Sequence, residues 1–190
     1  MELFILLGIE FIARLLIEIR ERRATQHRGG IFSILRLVPL INDITPLPEN
    51  RRTPPENEFS NLHEKGHKAY RHTILRNIAK VILLMLAVWF LAKELIRNGL
   101  PLWEAVLWLH LVAIPFRILF NLYCWNQEYE ADRFALKELG KTKAKAAMRE
   151  LADYEIPYTK LFAITYREHP TVALRSKRIL HKTISAKNKE

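Results

Sequence analysis

Residues 61–97 read NLHEKGHKAYRHTILRNIAKVILLMLAVWFLAKELIR, and two features of this stretch set the fold. The first is His63-Glu64-Lys65-Gly66-His67, with the spacing H-E-x-x-H. On a helix the two histidines lie one turn apart on one face, so both imidazoles can grip one metal ion. Glu64 follows the first of them, where a carboxylate can serve as general base towards a water. His72, nine residues from His63, falls on the opposite face of a continuous helix and is not expected to be a ligand. The second feature is Val81–Ala92, VILLMLAVWFLA, which holds no polar residue. As a helix it spans about 18 Å. Counting from Ile78 to Ile96, with Lys80 and Lys93 snorkelling, brings it close to the ~20 residues that a bilayer requires.

Downstream, Asn98-Gly99-Leu100-Pro101 is a turn signal. Residues 102–125, LWEAVLWLHLVAIPFRILFNLYCW, are apolar again, interrupted by Glu104, His110, Arg117 and Asn121. Residues 74–125 are therefore expected to form an apolar helical hairpin, either crossing a membrane or buried inside a soluble helical protein. Trp89, Trp103, Trp108 and Trp125 partly suit the interfacial belt of the first reading. A polar helical segment follows, Asn126–Leu139, ended by Gly140, and then an amphipathic helix over Lys141–Tyr154. In the first of these, Glu128 and Asp132 are four apart on one face while Glu130 points away. Glu128 would complete a two-histidine, one-carboxylate zinc site, and Asp132 would stand behind a ligating imidazole and orient it. Tyr158–Tyr166 is a short element, and His169-Pro170 opens a last basic helix.

Upstream, residues 1–19, MELFILLGIEFIARLLIEI, carry Glu10, Arg14 and Glu18 four apart, one polar stripe on a greasy helix. With no basic lead-in and no small-residue cleavage site, this does not read as a signal peptide. An interfacial helix and a span with one face against protein both fit. Gly29-Gly30 breaks the helix, Ile31–Asn42 is a strand or a helical turn, and the proline-rich stretch up to Ser60 is a linker. The domain reading is an N-terminal helix over 1–28, a strand-or-loop linker over 29–60, and a metal-site domain over 61–190 interrupted by the hairpin.

Composition bounds the chemistry. The chain has 190 residues, 49% of them hydrophobic, enough for a core and too many for a disordered chain. A single cysteine, Cys124, excludes a disulfide framework and a thiolate zinc cluster. Few glycines and long Leu/Ile/Ala/Lys/Glu/Arg runs indicate a mainly α fold. The net charge of +10 is densest over Arg175–Lys189. No recognition motif or aromatic interleaving accompanies that patch, so nucleic acid is not expected as a partner.

The three motifs HEKGH at 63–67, EYEAD at 128–132, and His169-Pro170 followed by Arg175 occur in one order. In that order, with a hydrophobic hairpin between the first two, the chain resembles the membrane zinc metallopeptidases typified by HtpX and the type I CAAX prenyl proteases, of the gluzincin clan. The resemblance covers about residues 60–180. It implies a mainly α, gluzincin-like core with at most a small β element upstream of the H-E-x-x-H helix. It implies one zinc per chain on His63, His67 and Glu128, and Glu64 as general base and later proton donor. His169 and Arg175 would help hold the substrate carbonyl or the developing oxyanion. The implied activity is zinc-dependent endopeptidase cleavage of membrane or membrane-proximal proteins, the partners being a protein or peptide substrate and lipid. Family members usually place a sheet upstream whose edge strand binds extended substrate; here only Ile31–Thr45 could supply strands. Arg71, Arg76, Arg133 and Lys137 flank the hairpin opposite its tip, which favours a multi-pass protein of the cell membrane with its site facing the cytoplasm. The rival from another class is a non-catalytic membrane scaffold with a structural or vestigial zinc site. The sequence assigns no oligomeric state.

Overall fold

The computed structural model describes residues 1–25, 34–45, 47, 50 and 52–178. The Gly29-Gly30 break, Ile31–Ser33 and the basic tail beyond Arg178 lie outside the described residues. The protein is mainly α, with two long apolar helices inserted into a helical core. Helix α1 is Glu2–Thr25; a 3-10 turn, Ile34–Leu37, and a short helix α2, Ile41–Ile44, follow. Then come α3, Glu58–Ala69; α4, His72–Ala92; a π turn, Lys93–Arg97; α5, Leu102–Leu139; α6, Lys141–Tyr154; and α7, Lys160–Tyr166. Among the described residues there is no strand, only one antiparallel bridge between Asn50 and Glu155. The stretch that the sequence left open as strand or helical turn is, where described, helical turns.

Helix α3 starts where its chemistry demands. The Asn57 side chain accepts from the backbone N–H of Ser60 at 2.8 Å, capping an otherwise orphaned donor. Its buried face, Phe59, His63 and Gly66, has helical spacing and lies against α5. Phe59 and Met148 join Ala135, Ala144 and Val172 in one core cluster. Fully burying a side chain of that size contributes about 2–3 kcal/mol. A second cluster, Trp125, Tyr129, Ile156, Tyr158, Phe162 and Ala163, ties α5 to the segment that leads into α7. There the Trp125 indole donates to the Arg167 carbonyl at 3.0 Å.

Two helix boundaries differ from the sequence reading, and both matter for the site. Residues 61–97 are not one helix: α3 ends at Ala69 with Tyr70 as its C-cap, and Arg71 takes a left-handed conformation (φ 55°) that redirects the chain into α4. A glycine or asparagine would have announced that turn; an arginine does not. Conversely, residues 102–125 and 126–139 are not separate. α5 runs unbroken for 38 residues, about 57 Å, so one rod serves as hairpin arm and as carrier of Glu128 and Asp132. Its end at Gly140 (φ 83°), the span of α6, and a short α7 agree with the sequence reading.

Candidate metal centre

The α3–α5 packing brings the sequence-distant candidate ligands together. His63 Nε2 and His67 Nε2 face each other at 3.0 Å. Glu128 Oε2 lies 3.3 Å from His63 Nε2, and Glu128 Oε1 lies 3.3 Å from His67 Nε2. One donor atom from each of the three residues falls within a common 4.8 Å. Two imidazole nitrogens aimed at one point beside a buried carboxylate could hold a metal ion, and the donor set suits zinc.

The other ring nitrogens are held from behind. His63 Nδ1 lies 2.9 Å from Asp132 Oδ1, and Asp132 takes two bonds from Arg175, Nε at 2.9 Å and Nη2 at 2.5 Å. His67 Nδ1 lies 2.9 Å from Nδ1 of His72, whose Nε2 is 3.2 Å from Glu130. The Arg71 turn swings His72 back over α3, where it is buried and stacked on Tyr70. The sequence reading places His72 away from the site because it takes α3 and α4 as one continuous helix; Glu130 does point away from Glu128, as read, and meets His72 instead. That reading also missed Arg76, which donates to Glu128 Oε1 and to Gln127 Oε1, each at 2.6 Å.

Electrostatics follow from these contacts. Burial disfavours the His63 cation, but bonds to Asp132 and Glu128 outweigh it and raise its pKa. Burial likewise opposes the Arg175 cation, and the Asp132 carboxylate beside it more than compensates, raising its pKa. Buried in the wall of the cleft, Glu155 has its pKa raised by burial despite the nearby Arg167.

His63, His67 and Glu128 open into a cleft of about 240 Å³ that also presents Glu64, His169 and Arg175, with Phe59, Leu151 and Val172 as its apolar wall. Glu64 is exposed to this space. His169 is half-exposed with Nδ1 3.1 Å from Glu128 Oε1. The structure thus gathers six of the seven residues singled out in the sequence around one cleft, with the seventh, Asp132, buried behind His63 and bonded by the Arg175 guanidinium.

An H-E-x-x-H helix packed on a second helix that supplies a buried glutamate, with a carboxylate free in the cleft, is the arrangement of a metallopeptidase. The chain belongs to peptidase family M48, which matches residues 60–183. No curated protein and no solved structure matches it. The family match begins at the second residue after the start of α3, so α1 and the linker stand outside it.

Proposed function

We propose that the protein is a membrane-embedded zinc endopeptidase that cleaves membrane or membrane-proximal proteins on the cytoplasmic side. The observation that carries this reading is the convergence of His63, His67 and Glu128 on one point inside a cleft that also holds Glu64. Zinc held by these three residues would supply a Lewis acid for a peptide carbonyl and would lower the pKa of a water toward about 7. Glu64 takes the proton from the attacking water and returns it to the leaving amine. His169, half-exposed at the rim, donates to the developing oxyanion. Arg175 acts from one layer further back: it holds Asp132, which fixes the His63 ring with Nε2 forward. Arg76 donates to Glu128 Oε1 and so helps to hold the carboxylate that would bind the metal beside the two imidazoles.

The membrane part rests on α4 and α5. Both are long and apolar enough to cross a bilayer, and the apolar window of α4 has none of its residues buried inside the protein. Leu84, Met85, Val88 and Trp89 are all more than half exposed, a poor surface in water and an ordinary one in hydrocarbon. Arg71, Arg76, Arg133 and Lys137 lie on the site side, as the positive-inside rule expects of a cytoplasmic face.

The test is cleavage of an unstructured peptide by the full chain in detergent. Activity is expected to disappear on chelation and to return with zinc. A protein that binds zinc but cleaves nothing would be the scaffold instead. His72 gives a second test. If it fixes the His67 tautomer, His72→Ala should weaken zinc binding about 10- to 100-fold, read by competition with a chromophoric chelator. Unchanged affinity would deny it that role.

A further inference from the structure

Helix α1 is built inside out. Its charged side chains Glu10, Arg14, Glu18 and Glu21 are buried, while Phe4, Ile5, Ile9, Ile12 and Leu16 are each more than half exposed. A helix packed on a water-soluble domain shows the opposite pattern.

Each buried charge has a partner on the protein side. Arg14 Nε donates to Glu10 at 2.5 Å and its Nη1 to the Tyr166 hydroxyl at 3.2 Å. His110 Nε2, from α5, lies 2.8 and 3.0 Å from the two Glu10 oxygens. Further along, Glu18 accepts two bonds from Arg36, and Glu21 accepts from the Thr159 N–H and hydroxyl.

From this we infer that α1 crosses the bilayer beside α5, with hydrocarbon covering its outer face, so that Glu2 lies on the side of the membrane opposite the metal centre. The inference rests on the membrane reading of the hairpin. Register supports it: Phe4 meets Trp103 (ring centroids 6.4 Å apart) and Glu10 meets His110, so α1 and α5 run in parallel, step for step, from the hairpin tip. The exposed apolar face of α1 therefore continues the belt formed by the hairpin at the same depth. From Glu2 to Arg20 the helix rises roughly 27 Å, against a hydrocarbon core of about 30 Å. Arg20, Arg22 and Arg23 then fall at the site end, the face that already carries the basic flanks. A helix lying flat at the interface needs its polar stripe towards water; here that stripe is taken up by α5, α7 and the 3-10 turn. Buried ion pairs facing protein are the form in which a bilayer tolerates charge.

The experiment uses the full chain with Cys124→Ala, carrying one cysteine at a time in place of Glu2, Asn98 or Lys141. Labelling by a membrane-impermeant maleimide is measured in intact cells and after permeabilisation. Positions 2 and 98 should label from the same side and position 141 from the other. If 98 and 141 are on opposite sides but 2 labels with 141, the hairpin spans and α1 does not, and the inference fails alone. If 98 and 141 label together, the hairpin does not cross and both readings fall. As a second measurement, a spin label at Ile12 should be reached by oxygen and shielded from a water-soluble nickel chelate. Access by the chelate, or by neither because a second copy covers the face, would overturn the inference.

Discussion

Glu64→Gln is expected to lower peptide cleavage by about 100- to 10,000-fold while leaving zinc in place. Glutamine keeps the shape and the hydrogen-bonding capacity of the side chain but cannot take a proton. Glu64 is exposed in the cleft and stands outside the three-residue donor set, so its loss should not empty the site. The loss should fall on kcat, because the base acts in the transition state and contributes little to holding substrate. Zinc retained with activity lost is the signature to look for. Undiminished cleavage would move the base elsewhere, and simultaneous loss of zinc would mean that the carboxylate is a ligand.

Gly66→Leu is expected to be the most damaging substitution that touches no ligand. A Cβ at Gly66 would sit 3.0 Å from Ala131 Cα, 3.1 Å from Phe134 Cβ and 3.2 Å from the Ala131 carbonyl oxygen. Two of those are backbone atoms of α5, which cannot rotate away. Leucine adds three further carbons where α3 and α5 have no gap, so the helices must separate. Overpacking of this kind costs about 3 kcal/mol, or about 6–12 °C of melting temperature in a chain this size. The same separation would carry His67 away from Glu128, their atoms now 3.3 Å apart, and weaken metal binding. Gly66→Ala should do much less, since helix propensity returns about 1 kcal/mol. A Gly66→Leu protein that melts with the wild type and holds zinc would show that α3 does not depend on this close approach.

Much of this was legible from local chemistry. The i, i+4 histidines, the Glu128/Asp132 pair, the Gly140 stop and the apolar hairpin are all periodic or capping signals, and those survive in the structure. What the sequence hid were places where tertiary packing overrode local pattern. The left-handed Arg71 carries no sequence mark, so His72 falls on the wrong face and Arg76 and the His72–Glu130 contact are passed over. Asn126 reads as the start of a new polar helix, yet α5 passes through it unbroken, because Trp125 and Tyr129 are both packed on the 156–163 segment. The polar stripe of α1 was visible as a stripe, but not which way it faced. That depended on His110, Arg36 and Thr159, each distant in sequence.

The central claim is that this chain assembles one zinc site from α3 and α5. The direct measurement is zinc per chain in full-length protein, purified in detergent and dialysed into metal-free buffer, beside His63→Ala. About one zinc is expected for the wild type and nearly none for the variant. Equal zinc in both, or a wild type that stays empty after zinc is added, would contradict the account.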